Sequence, residues 1–162
     1  MSHMSRVPFT EIDGEPYVEW WRERFAPDAD IFAGMRFYQR GRSSIWVGSA
    51  DIEGLSSTRM DAVGLHLLRI GRRFWKPTST AVMAFGGAAT INLAELDRAE
   101  LVAFLSGEEL DIPADDARRD LLTRGFIVAR YAGVPVGCAE WHDRGALVSL
   151  IPKGQRFSPI DL

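Results

Sequence analysis

Three β-prone runs separated by two short turns fill residues 125–151 and restrict the possible folds more than any other feature of the sequence. The runs are residues 125–131, 136–141 and 146–151. Each turn contains a glycine, and strands joined by such turns pair with their neighbours in sequence, so we predict an antiparallel meander. Meanders of this kind are typical of small barrels. We expect this one to pair with strands from residues 36–76 and to close a barrel lined by Trp46, Phe126, Val128, Val136 and Leu147.

Upstream of the meander the sequence predicts short helices and further strands. The predicted helices are residues 17–25, 79–85 and 96–106. The first has aromatic residues at helical spacing, the second follows a proline, and the third ends at a glycine. A hairpin is predicted at residues 37–47. Residues 65–70 fit either a strand or a helix, and their periodicity leaves both alternatives open.

The composition is that of one ordinary globular domain. Hydrophobic residues make up 46% and charged residues 25% of the 162 residues. No apolar run reaches the roughly 18 residues that a membrane span needs, and the first residues, MSHMSRVPF, lack the apolar core of a signal peptide. Cys138 is the single cysteine, which leaves no internal disulfide. We therefore expect a cytoplasmic protein that does not associate with membranes.

The net charge of −3 hides an alternation of acidic and basic segments. Residues 1–35 and 77–120 carry −4 and −6, whereas residues 36–76 and 121–162 carry +5 and +2. The basic segment 36–76 also contains five aromatic residues: Phe37, Tyr38, Trp46, Phe74 and Trp75. Because cations contact phosphates and exposed aromatics stack on unpaired bases, this segment predicts RNA binding. The alternative is that these aromatics form core and the arginines are only solvated.

The sequence predicts no catalytic site, no metal site and no cofactor. It has neither a GxGxxG loop nor a P-loop. The histidines are isolated, and Cys138 and His142 would lie about 13 Å apart along a strand. The remaining candidates are the acids of a loop in which the sequence shows no basic partner: Glu108, Glu109, Asp115 and Asp116. A small metal-dependent hydrolase would require these acids to converge beside the basic segment.

Four motifs, in order along the chain, resemble a known family. They are RRFWKPT (72–78), LVAFLSGEEL (101–110), GFIVARYAGVPVG (125–137) and IPKGQR (151–156). They resemble the C-terminal PUA-like domain of RsmF-type, Sun-family RNA cytosine-5 methyltransferases, which contains a Gly-x-Pro-x-Gly turn and a terminal Pro-Lys-Gly-x-Arg. The resemblance covers residues 36–157.

The resemblance implies an α+β fold, namely a PUA-like mixed β pseudo-barrel with short helices. Residues 1–35 would form a helical N-terminal extension or small cap, residues 36–157 the PUA-like domain, and residues 158–162 a tail. The cofactor-binding glycine loop and the Pro-Cys nucleophile of the methyltransferase domain are missing. The resemblance therefore implies the RNA-binding appendage without the enzyme, and we expect no methylation and no S-adenosylmethionine binding.

Three classes of function follow from these observations. The first is a non-catalytic RNA-binding protein that recognises structured rRNA or tRNA as an accessory factor in RNA modification or ribosome biogenesis. The second is a protein-interaction module that docks a methyltransferase or a ribosomal protein through the acidic segment or the N-terminal aromatics. The third is the metal-dependent hydrolase.

The predicted RNA-binding residues are Arg69, Arg72, Arg73, Lys76, Thr78, Lys153 and Arg156, with Arg36, Arg40 and Arg42 as further candidates. In the resembled family the first helix and the final strand flank the RNA groove, which implies that the cations before residues 79–85 converge with those at the end of the chain. Backbone N–H groups and the Thr78 and Ser79 hydroxyls at the helix start also favour phosphate. The alternative is that the turn arginines are only solvated and the terminal cations lie in a loose tail.

Overall fold

The computed structural model describes residues 7–49 and 63–158, and within these residues the chain forms two five-stranded sheets. Sheet 1 is antiparallel, in the order β1 (Phe9–Ile12), β2 (Met35–Arg40), β3 (Ser44–Ser49), β4 (Leu65–Ile70) and β5 (Trp75–Pro77). Sheet 2 has the order β6 (Leu93–Glu95), β8 (Gly125–Tyr131), β9 (Val134–His142), β10 (Ala146–Ser149) and β7 (Glu109–Asp111), with β6 parallel to β8. The helices are α1 (Glu15–Phe25), α2 (Ser79–Phe85) and α3 (Arg98–Leu105). The predicted α+β class is confirmed.

Local sequence signals locate most of these elements. Helix α2 has the predicted bounds, because the Thr78 side chain accepts a hydrogen bond from the Ala81 amide and caps the helix. Helix α3 begins after a capping box formed by Asp97 and Glu100. Strands β8, β9 and β10 form the predicted meander, and β2 and β3 form the predicted hairpin.

The predicted pairing between the meander and residues 36–76 is wrong, because among the described residues no strand of sheet 1 pairs with a strand of sheet 2. The two sides of the meander are instead occupied by β6 and β7. Strand β7 lies in the acidic segment that the sequence indicated was a loop. The side chains expected to line one barrel consequently lie in three clusters: Trp46 in one, Phe126 and Val128 in another, Val136 and Leu147 in the third.

The two sheets nevertheless share one hydrophobic core. Trp21 and Phe25 of α1 are fully buried there together with Ile45 of sheet 1. Val128 and Cys138 enter the same cluster from sheet 2. The aromatic face of α1 is therefore core, and it joins the two sheets.

Arg24, near the end of α1, clamps the helix to sheet 2. Its guanidinium donates to the carbonyl oxygens of Phe126 (2.7 Å), Thr123 (2.8 Å) and Arg124 (3.1 Å) and to the Thr123 hydroxyl (3.0 Å). The buried Asn92 side chain completes the clamp: its Nδ2 donates to the Arg24 carbonyl (2.7 Å) and its Oδ1 accepts from the Thr123 amide (2.8 Å). Burial of the guanidinium lowers the pKa of Arg24.

A register shift in sheet 1 explains why the periodicity of residues 65–70 was ambiguous. Ile45 pairs with Leu68, but the next residue, Trp46, pairs with His66, so Leu67 is an extra residue on β4. A bulge of this kind interrupts the alternation of side chains. Leu67 and Leu68 are both fully buried as a result, which no regular strand pattern predicts.

The N-terminal residues also contribute a strand. β1 pairs with β2, from Phe9 opposite Arg40 to Ile12 opposite Phe37, so the ladder crosses the predicted boundary between residues 35 and 36. Within the described segments, no helix is both long enough and apolar enough to cross a bilayer.

Candidate nucleic-acid interface

A pocket of about 720 Å³ opens where sheet 1, the start of α2 and the segment after β10 meet. Sheet 1 contributes aromatic and basic side chains to its wall, and the segment after β10 contributes Pro152 and Gln155. We call it the junction pocket; its polar lining includes Trp46, His66, Arg69, Lys76, Thr80 and Gln155. The first sheet and the end of the chain thus meet at one concave surface.

A row of cations crosses sheet 1 and ends in this pocket. Arg40 lies opposite Ser44, Ser44 opposite Arg69, and Arg69 opposite Lys76. Directly opposite residues of neighbouring strands project from the same face, and neighbouring strands lie roughly 4.8 Å apart. We call Arg40, Arg69 and Lys76 the basic row. The Arg40 guanidinium lies 5.2 Å from the centre of the Phe9 ring, which is opposite it on β1.

The turn arginines lie at the same end of sheet 1 as the basic row. Arg42 is exposed in the turn between β2 and β3, and Arg72 and Arg73 are exposed in the turn between β4 and β5. Both turns are at one end, because the Ile70 amide donates to the Ser43 carbonyl. Six of the ten predicted residues are therefore grouped there, although the turn arginines do not line the junction pocket.

The other predicted residues have different surroundings. Thr78 lines the pocket, but its hydroxyl hydrogen is donated to the His66 carbonyl and its oxygen caps α2, so the hydrogen is not available to a phosphate. Lys153 is exposed in the turn between Pro152 and Gln155; these two residues line the pocket, but Lys153 does not.

Two of the predicted cations make contacts away from the pocket. Arg156 donates from Nε to the Ile151 carbonyl (3.2 Å) and packs over Gly107 at the end of α3. Arg36 lies near the opposite end of β2 from Arg40 and approaches Glu11 at 3.8 Å.

The five aromatics of the basic segment divide into core and surface. Phe37 and Tyr38 are buried, and Trp75 packs on Tyr17 with ring centres 5.3 Å apart. Phe74 is 64% exposed, in the turn with Arg72 and Arg73. Trp46, expected inside the barrel, is half-buried in the wall of the junction pocket.

Sequence reasoning missed His66, which stacks on Trp46 with ring centres 4.8 Å apart and an angle of 10° between the planes. The His66 Nε2 lies 3.2 Å from the Leu68 carbonyl, and because a carbonyl only accepts, Nε2 carries the hydrogen. Burial, and then the charge of Arg69, lower the pKa of His66 below 6.5, so the ring is neutral at pH 7. The bulge between β3 and β4 places these two rings side by side. Because spacing in the sequence does not reveal that bulge, the pair could not be predicted from the sequence.

Two of the acids that were expected to lack basic partners are paired. Asp116 contacts Arg118 at 2.7 Å, and the same guanidinium contacts Glu100 at 2.8 Å. Hydrogen bonds from Arg118 hold the pKa of Asp116 down at about 2, and the pKa of Arg118 is raised in turn. Glu109 contacts Arg144 at 3.1 Å. These acids stabilise the loops of sheet 2.

Cys138 is among the residues that line the junction pocket, but it is almost completely buried. Its side chain is 1% exposed, and burial raises the pKa of the thiol to about 12. The thiolate, which is the nucleophile in cysteine chemistry, is therefore strongly disfavoured.

Two family matches agree with the division into two sheets. The fold from β6 onwards, with its mixed sheet and short helices, is that of a PUA-like domain. Residues 91–157 match the family described as the methyltransferase RsmF PUA domain, which confirms that this part of the chain is a PUA-like domain of RsmF type. Residues 6–64 match a family of unknown function (DUF7122). No curated protein shows significant similarity to the chain.

The matched ranges refine the extent of the resemblance. The motif RRFWKPT (72–78), which was expected to belong to the PUA-like domain, lies between the two matches. The junction pocket is formed by side chains from both sides of this gap, since Trp46 belongs to the first matched range and Gln155 to the second.

Proposed function

We propose that the protein binds RNA along the basic row and in the junction pocket. The observation that carries the proposal is the direct opposition of Arg69 and Lys76 on β4 and β5. Both side chains are exposed, and within the described residues neither forms an ion pair with an acid. Like charges directly opposite each other destabilise a sheet. A phosphate bound between them would relieve this repulsion.

The surroundings of this pair also favour a polyanion. Arg40 extends the row by two strands, and Arg42, Arg72 and Arg73 flank the same end of the sheet. Arginine presents a planar fork that matches phosphate oxygens. The PUA-like domain adds Lys153, next in sequence to the pocket-lining Pro152, and the family that residues 91–157 match is described as the methyltransferase RsmF PUA domain.

The proposed role is that of a non-catalytic accessory factor. Support comes from the suppressed reactivity of Cys138 and from the pairing of Asp116 and Glu109 with arginines. We propose structured rRNA or tRNA as the ligand, RNA modification or ribosome biogenesis as the process, and the cytoplasm as the location. A methyltransferase or ribosomal protein would be a natural neighbour on such an RNA.

Charge reversal tests the proposal. The double variant Arg69→Glu with Lys76→Glu should weaken binding of a labelled RNA hairpin by roughly tenfold or more. The slope of log affinity against log salt should become shallower by about 0.7–0.9 for each phosphate that the variant no longer neutralises. Fluorescence anisotropy over a series of salt concentrations measures both quantities.

The matched control reverses two exposed cations outside the pocket, with Arg98→Glu and Arg124→Glu in one variant. This control changes the net charge by the same amount but should retain affinity and slope. An equal decrease in both variants would mean that only the overall charge matters, and no decrease in either would refute RNA binding at this site.

A further inference from the structure

His66 lines the junction pocket, and among the described residues Trp46 is the one aromatic ring that stacks on it. Trp46, on the neighbouring strand β3, stacks on one face of the ring. β5 lies on the other side of β4, and Thr78 and Thr80, which follow β5 at the start of α2, line the pocket. The face of His66 away from Trp46 is therefore the one on which a ligand in the pocket would stack.

The His66 ring is held rigidly. Trp46 supports it from behind, and the Phe9 ring packs on Trp46 at 87°, with ring centres 5.4 Å apart. The hydrogen bond from Nε2 to the Leu68 carbonyl fixes the orientation of the imidazole. A flat ring that is already ordered loses little conformational entropy when a ligand stacks on it.

The pocket also offers hydrogen-bonding groups beside this ring. With Nε2 carrying the hydrogen and the ring neutral, Nδ1 of His66 is an acceptor. The Gln155 side-chain amide, which also lines the pocket, contributes donors and an acceptor. The Trp46 Nε1–H is buried, with no hydrogen-bond partner among the described residues.

The phosphate-binding cations are close to the ring. Arg69 follows His66 by three residues on β4, and Lys76 is directly opposite Arg69. All three residues line the same pocket of about 720 Å³, which has room for a nucleotide. The pocket thus combines a flat uncharged aromatic ring, on which a base can stack, with a cationic pair that can bind its phosphate.

We infer that the junction pocket takes one unpaired nucleotide of a bound RNA, with its base stacked on His66 and its phosphate between Arg69 and Lys76. This inference rests on the proposed RNA-binding function. A paired base within a helix has both faces covered by its neighbours, whereas an unpaired base in a loop or single strand can be turned out and stacked on a side chain. The pocket therefore selects unpaired RNA, while the rest of the basic row contacts any phosphate backbone.

Two substitutions at His66 test the inference. His66→Phe keeps a flat ring at this position, and His66→Leu keeps similar bulk without a ring. We expect the leucine variant to bind a single-stranded octaribonucleotide roughly 5- to 100-fold more weakly, the range found for loss of base stacking. The phenylalanine variant should stay within about threefold of the parent, and both should bind a blunt RNA duplex as the parent does.

A measurement on the unaltered protein does not depend on how these variants fold. An octaribonucleotide with one 2-aminopurine should lose fluorescence on binding, because stacking quenches this base, and an RNA duplex should displace it only weakly. Thermal unfolding of each variant establishes whether its binding can be compared with the parent's.

The outcomes separate this inference from the proposed function. If both His66 variants bind both RNAs like the parent and 2-aminopurine is not quenched, while Arg69→Glu with Lys76→Glu weakens binding, the base site is refuted and RNA binding stands. If the charge reversal also has no effect, the proposed function fails as well.

Discussion

Arg24 provides a direct test of how firmly the N-terminal helix is attached to the PUA-like domain. The proposed perturbation is Arg24→Met, which keeps most of the unbranched stem but removes the guanidinium and its four hydrogen bonds. One of these bonds, from Nε to the Phe126 carbonyl, is partly buried, and the other three are exposed. The buried bond should therefore dominate the effect.

The magnitude follows from these environments. A hydrogen bond from a charged donor contributes about 1.5–3 kcal/mol, and the exposed bonds add a few tenths each because water replaces them. Removing the guanidinium also removes the cost of its burial, which lowers the pKa of Arg24 in the folded protein. We expect a net loss of about 2 kcal/mol in the free energy of unfolding, which is a decrease of roughly 4–8 °C in Tm for a chain of this length.

The control is on the same helix. Arg22 is exposed and contacts Glu15 at 3.2 Å and Glu19 at 3.6 Å, and exposed ion pairs contribute about 0–1 kcal/mol. Urea unfolding of Arg24→Met and Arg22→Met, followed by circular dichroism and tryptophan fluorescence, gives both changes. If the two variants differ by less than about 0.5 kcal/mol, Arg24 is not a clamp and the reasoning is wrong.

Three further predictions concern single side chains. Asn92→Ala should lower the free energy of unfolding in urea by about 2 kcal/mol or more, because Asn92 is buried and bridges Arg24 and Thr123. Its φ of 52° also disfavours alanine. A decrease under about 0.5 kcal/mol would contradict this prediction. The pKa of Asp116 is about 2, below its unfolded value near 3.9. The stability that Asp116 contributes above pH 4 should therefore be lost as the pH falls towards 2. Asp116→Asn should flatten that part of the profile of urea midpoint against pH. Cys138, with a thiol pKa of about 12, should react with a disulfide reagent at pH 8 only as fast as the protein unfolds, and rapid labelling of the folded protein would contradict its burial.

The basic segment has a different geometry in the structure from the one that its composition suggested. Its cations and aromatics were expected to belong to one barrel, with Trp46 inside it. In the structure, Phe37 and Tyr38 are buried, whereas Trp46 supports His66 in the wall of the junction pocket. That the cations near α2 bind RNA remains a prediction. In the structure, these cations are brought together by the pairing of neighbouring strands in sheet 1.

The sequence alone determined the elements that depend on neighbours a few residues apart. The start of α2 follows from the Thr78 cap, and the hairpin of β8 and β9 follows from β-prone runs around a glycine turn at Gly133. The signals for caps, turns and amphipathic faces lie within one or two turns of chain, so they can be read directly. Three of the four motifs lie within residues 91–157, where the PUA-like resemblance is confirmed.

Only the tertiary structure decided which strands meet and, with them, the candidate site. β7 pairs with β10 although its acidic residues indicated a loop, and the bulge at Leu67 places His66 beside Trp46. Arg40 is far in sequence from Arg69 and Lys76, and the three become one row only through the order of strands in sheet 1. Such contacts depend on the competition among all possible strand pairings and on the burial of the whole core, which no local pattern contains.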